Sequence, residues 1–213
     1  MLTKKYFYLP FLVLPLIFGL AGCAKSAKTA KTSSSGNSSA QANTPSDSNS
    51  GAIKLFGVPI DAAARKSLRQ VLNKAGLVGT KVDSHYFCDK YQVNGQIKKA
   101  NELDTCYASN GRLAEATYVF PSFMNSKLVN YVVGMIKSKY GSPSSYNGNP
   151  GLGDVTAKWD LGSDAIVVFR GWPDETVYLH LINVANYNKM EQEIQSAKNN
   201  QKSNTYKSES NAF

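Results

Sequence analysis

Two stretches of the chain carry the apolar spacing of an amphipathic helix, and each is followed by segments that alternate. In the first, Ala64, Leu68, Val71, Leu72 and Ala75 form one stripe on a 3.6-residue period, with Asp61 ahead as an N-cap and Gly76 placed to close the helix. Strand-like segments then run over 81–93 and 96–99 around Asn94-Gly95, and over 102–108 and 112–120 around Asn110-Gly111. Asn-Gly between alternating segments is a strong hairpin signal, because both central residues are expected at positive φ. Ala114, Ala116, Tyr118 and Phe120 are expected on one face of the last strand.

The second stretch repeats the order. Met124, Leu128, Tyr131, Val132, Met135, Ile136 and Tyr140 form the stripe, closed by Gly141 and Pro143. A Gly/Asn/Ser/Pro loop follows over 142–153, then strands over 155–161, 164–170 and 176–184, and a helix from about 185 to 197 carrying Tyr187, Met190 and Ile194. The pattern predicts an α+β fold of two tandem helix-plus-three-strand modules, about 51–121 and 122–198, with the helices packed on a mostly antiparallel sheet.

The ends read differently. Lys4 and Lys5 precede an apolar run over 6–20 that is interrupted by Pro10 and Pro15, which suits a cleaved signal (1–22) better than a spanning helix. Residues 24–50 contain no Val, Ile, Leu, Met, Phe, Trp or Tyr, and nine of the 27 are Ser, so 23–50 reads as a flexible tether. Its root-mean-square span is about 26–31 Å. Residues 199–213 read as a disordered polar tail, leaving 51–198 as the globular part.

The apolar run ends Leu20-Ala21-Gly22-Cys23, which resembles the lipobox of bacterial lipoproteins. That resemblance implies cleavage before Cys23, a thioether-linked diacylglycerol and an N-acyl group on it, and a membrane held through those chains. Each buried methylene adds about 0.8 kcal/mol, so several chains hold a protein where one does not. Ala24 after the cysteine is similar to outer-membrane-sorted members, which implies the outer membrane facing the periplasm. The second half, with Gly141-Ser142-Pro143 and Trp159, is also similar in outline to small outer-membrane lipoproteins of the BamE/SmpA type. It departs from them in the extra preceding module and in lacking their Gly-Met helix entry.

Charge adds little. The chain is +9 at neutral pH, but 51–198 carries 17 basic and 13 acidic residues, with no run of four basic residues. That is an ordinary soluble surface, and nucleic-acid binding is not expected. Cys88 and Cys106 fall on neighbouring predicted strands, and an exported chain favours a disulfide between them. A redox-active pair, without Cys-x-x-Cys, and two buried thiols are the alternatives. His85 and His180 lack partners at metal spacing, so no metal or other cofactor is expected beyond the lipid on Cys23. His180, out of phase with Leu179 and Leu181, is expected to cover one sheet face.

Gly-x-Ser-x-Gly and Ser-x-x-Lys nucleophile frames are absent, and Asp160, Asp164, Asp174 and Glu175 lie in or near turns, where acids are common. The expectation is a non-enzymatic envelope lipoprotein that binds an envelope protein as an assembly or accessory factor. A cell-wall glycan or small-ligand binding module ranks second, and a wall-active hydrolase third. The candidate binding edge is Tyr146, Arg170 and Trp172, with Trp172 on a Gly-Trp-Pro turn either exposed as an aromatic anchor or folded back on the sheet.

Overall fold

In a computed structural model the described residues are 53–122, 125–173 and 175–211. Cys23, the signal and the tether lie outside them, as do Met124 and Asp174. The elements are β1 (Lys54–Leu55), β2 (Val58–Pro59), α1 (Arg65–Lys74), β3 (Val78–Lys81), β4 (Cys88–Gln92), β5 (Glu102–Tyr107), β6 (Leu113–Phe120), α2 (Lys127–Tyr140), β7 (Ser145–Gly148), β8 (Val155–Leu161), β9 (Asp164–Arg170), β10 (Val177–Asn183) and α3 (Val184–Ser210). Eight strands form one antiparallel sheet in the order β3-β4-β5-β6-β10-β9-β8-β7, and β1 with β2 makes a separate small hairpin.

The fold is α+β, and the tandem arrangement is present with a fourth strand in each half. The halves meet where β6 pairs with β10, from Val177↔Phe120 to Ile182↔Glu115. Their registers repeat 63 positions apart: Leu103 pairs with Tyr118 as Ile166 pairs with Leu181, and Asp104 with Thr117 as Val167 with His180. The next strand out offers a buried aromatic in each half, Tyr91 against Leu103 and Trp159 against Ile166. The extra strands β3 and β7 are the two sheet edges. Each has four residues, all exposed, so neither carries the alternation that marks a half-buried strand.

One face of the sheet is closed by α1 and α2. Leu68 and Leu72 from α1 and Leu128, Val129, Val132 and Ile136 from α2 join Tyr91, Leu103, Tyr118, Leu179, Val168 and Trp159 in one core. The indole of Trp159 donates to the Gly141 carbonyl (2.9 Å), fixing the end of α2 to β8. On the other face α3 covers only one end, where Met190, Tyr187 and Ile194 meet Cys88, Cys106, Ala108 and Ala114.

Four local readings change. Helix α1 starts at Arg65, not behind an Asp61 cap, because residues 63–65 are held extended by backbone bonds from Arg65 N to Gly111 O and from Leu113 N to Ala63 O. The Asn94-Gly95 segment is a loop, not a hairpin. Its amides turn back to the end of α1, Gln96 donating to Ala75 O (3.1 Å) and Asn94 to Gly76 O (3.4 Å). The turn at Asn110-Gly111 forms, but only Gly111 takes positive φ, and a bulge sends Ala114 to the α3 side while Ala116 stays in the main core. The tail expected to be disordered from 199 is helical as far as Ser210. It continues an α3 that is anchored at its start, where the Asn183 side chain accepts from Asn186 N and Glu193 accepts from Ser109 N and Oγ. Hydrogen bonds from Lys189 and Ser109 hold Glu193 down to about 2.

Two linkages lock the first half. Cys88 and Cys106 form a cross-strand disulfide between directly paired residues of β4 and β5. Asp89, fully buried, receives forked hydrogen bonds from Arg65 and Arg69 of α1 (2.8–3.3 Å). The same Arg65 donates to Asp83 O and Tyr86 O at 2.8 Å, so one guanidinium ties α1, β4 and the 82–87 loop together. Burial alone raises a carboxyl, but here the two guanidiniums overcome it and hold Asp89 below the usual range. A depressed folded value stabilises fully above the unfolded value of about 3.9 and is lost as pH falls through the folded one.

Asp89→Asn is expected to lower stability at neutral pH by about 2–4 kcal/mol, with the gap to the parent closing below about pH 4, as read by urea unfolding across pH. Reduction of the disulfide, or Cys88→Ser with Cys106→Ser, is expected to cost about 3 kcal/mol by the loop-closure estimate, read as a lowered urea midpoint with and without reductant.

Candidate binding surfaces

Strand alternation sorts the sheet residues onto two sides. The side away from α1 and α2 presents, across β6, β10 and β9, a row Val119–Tyr178–Phe169 and beside it a row Thr117–His180–Val167. Apart from Thr117, which is buried, all are half-buried, and none belongs to the cluster in which α3 packs on this side. Phe169, Tyr178 and His180 stack in sequence, with ring centroids 6.5 and 6.2 Å apart. His180 Nδ1 lies 2.7 Å from Glu115 Oε1 and 3.1 Å from Thr117 Oγ1, which fixes the ring plane on the sheet. The expectation that His180 covers one face is therefore met, with Glu115 as its partner.

Charged groups flank this aromatic centre. On β4 and β5, Lys90 bonds Asp104 (2.7 Å) and Glu102 (2.9 Å). Burial works against the ammonium, but the two carboxylates outweigh it and keep Lys90 above its ordinary value. On β8, Lys158 pairs with Asp160 (2.7 Å). Apolar and aromatic groups at the centre with both signs of charge outside is the distribution found at protein interfaces.

The three residues of the sequence-derived edge part company. Trp172 stands on the β9–β10 turn, 62 % exposed, so the folded-back alternative does not hold. Tyr146 is on the outer strand β7, 42 % exposed, paired with Ala157 and so two strands away from β9. Arg170 is only 1 % exposed and lines no edge. Its guanidinium turns inward to donate to Pro150 O (2.6 Å) and to Gly153 O, holding the 149–153 loop. Val155 and Val177 both pair with Arg170, so the β7–β8 loop and the β9–β10 turn lie at the same end of the sheet. This loop carries Leu152, 84 % exposed, which sequence reading passed over because one leucine in a Gly-rich loop has no periodic partner. Trp172 and Leu152 thus stand exposed at this end, and Arg170 holds the loop that carries Leu152.

No group of three or more His, Cys, Asp or Glu among the described residues is placed to hold a metal ion, and no helix among them is long and apolar enough to cross a membrane.

No known protein family matches the chain, and no curated protein does either. Among solved structures, a DUF4309 family protein (YjgB) from Bacillus subtilis is similar over 63 % of this chain and 90 % of its own, with 15 % sequence identity and a TM-score of 0.39.

Arg170→Met removes both carbonyl contacts. It is expected to destabilise by about 2–4 kcal/mol and to raise amide exchange selectively over 149–153, measured by hydrogen exchange with mass spectrometry.

Proposed function

We propose that this protein is a bacterial envelope lipoprotein, anchored through an acylated Cys23, whose folded unit binds an envelope protein partner as an assembly or accessory factor. One observation carries the binding half of the reading: the half-exposed block of Val119, Tyr178, Phe169 and Val167 at the middle of a sheet face that α3 leaves open. A sheet face of eight strands spaced about 4.8 Å is about 34 Å wide. That is the scale of a standard interface, which buries about 800 Å² on each partner. The anchoring half rests on the Leu20-Ala21-Gly22-Cys23 resemblance, and the Cys88–Cys106 disulfide is at home in the oxidising compartment it implies.

A second reading, glycan or small-ligand binding, is favoured by Trp172 and Leu152, which stand exposed on neighbouring turns at one end of the sheet. An indole on a rigid turn is a ready stacking platform.

Both readings go into one set of measurements on the anchored chain. A photo-crosslinker at position 178 is expected to capture one protein at near-stoichiometric yield from detergent-solubilised envelopes. Phe169→Asp is expected to abolish that capture with the circular dichroism spectrum unchanged. Capture that survives Phe169→Asp sinks the open face as the interface. Retention on purified wall polymer that falls at least tenfold in Trp172→Ala would instead install the glycan reading.

A further inference from the structure

On the helix-bearing side, at the junction of the two halves, lies an apolar groove of about 250 Å³ that the core does not fill. Its floor is Tyr118 of β6 with Leu179 and Leu181 of β10, the strands that join the halves. Ile97 stands on one wall, Met135 and Ile136 of α2 on the other. Phe56 of the β1–β2 turn also lines it, at a φ of 50° that bulky side chains rarely adopt. Held there, the Phe56 ring packs against the core instead of pointing to solvent.

Two further features point to what such a groove would take. Tyr118 is 3 % exposed and lines the groove. Burial alone pushes this phenol far up, so it stays protonated and can donate. Lys54 and Lys139 also line the groove, neither is paired with a carboxylate among the described residues, and no acidic residue lines it. Lys139 sits in the last turn of α2, where a cation also complements the helix end, but Lys54 has no such role.

We propose that this groove binds a free fatty-acid-type carboxylate, its alkyl chain laid on Leu179, Leu181 and Met135 and its head group met by Lys54, Lys139 and the Tyr118 hydroxyl. The volume fits one chain. An apolar cavity of about 150 Å³ takes a benzene ring, so this one holds on the order of ten carbons. It falls below the roughly 300 Å³ at which drug-sized sites begin. The head group is taken as a singly charged carboxylate, the smallest anion that two lysine ammoniums and one phenol can meet, with a phosphate as the competing probe. The site lies on the opposite side of the sheet from the proposed partner surface and stands or falls separately from it.

The test is calorimetric titration of the folded unit, which contains the whole core, with sodium dodecanoate below its micellar concentration. Binding at one site is expected, tightening about fourfold per methylene up to about ten carbons. Dodecanol and dodecyltrimethylammonium are expected to bind at least tenfold more weakly. Lys54→Glu, an exposed change, is expected to weaken dodecanoate about tenfold. Tyr118→Phe, which removes only the oxygen, is expected to weaken it several-fold without lowering the melting temperature. Equal affinity for dodecanoate and dodecanol, or affinity unmoved by both Lys54→Glu and Met135→Trp, overturns the site. Tight dodecyl phosphate binding without dodecanoate binding overturns the carboxylate assignment. Because none of these variants touches the open face, capture through position 178 reports on the partner reading independently.

Discussion

The pairing of β6 with β10 is the contact on which the rest of this structure depends. Separately, each half would end in a long strand whose backbone groups and apolar row stand open: Ala116, Tyr118 and Phe120 in one, Val177, Leu179 and Leu181 in the other. Such an edge is a template for unwanted pairing. Joining the two removes both edges at once and leaves β3 and β7 as the outer strands, Val-Gly-Thr-Lys and Ser-Tyr-Asn-Gly. Short, exposed and glycine-containing, these resist further strand addition. At Gly148 a side chain would run into the Asp154 carbonyl 2.0 Å away, so β7 stays closely folded over its own loop.

The halves share a register but differ in how they are locked. Asp89 on β4 occupies the place that Ala157 takes on β8, each opposite the equivalent of the other's neighbour, Thr105 and Val168. The first half fills the position with a carboxylate that binds two arginines of α1, and the second with a methyl group under α2. Yet each half ties down its irregular loop in the same way, a guanidinium reaching main-chain carbonyls: Arg65 to Asp83 and Tyr86, Arg170 to Pro150 and Gly153. Arginine suits this task because its donors are fixed in one plane and its charge strengthens every bond it makes. A buried loop carbonyl without such a donor would cost free energy.

What was legible in the sequence follows from which signals are local. The stripe from Leu128 to Tyr140 and the alternation in 155–161 and 164–170 give α2, β8 and β9, because each buries one face against the same core. The Cys88–Cys106 bridge was readable from neighbouring strands. The start of α1 was not, since it is set by hydrogen bonds to residues 111 and 113. Asn94-Gly95 misled for a related reason: its side chains serve the end of α1, a partner distant in sequence. At the candidate edge, Gly-Trp-Pro left Trp172 open between an exposed anchor and a folded-back ring, and the fold decides for exposure. The inward turn of Arg170 was not, because an arginine at a strand end gives no sign of which carbonyls will be in reach. The open face escaped entirely. Phe169, Tyr178 and His180 come together only once β9 and β10 are in register, and they lie outside the cluster in which α3 packs.

The alternation that builds the sheet also separates its two surfaces. Tyr118 faces the groove while its neighbours Thr117 and Val119 face the open side, and Leu179 and Leu181 flank His180 in the same way. Substitutions at successive positions of β6 and β10 therefore address opposite sides of one rigid layer. Ile53, Leu55 and Ile60 are buried in the helix-bearing core, so the β1–β2 hairpin packs on the side of the groove.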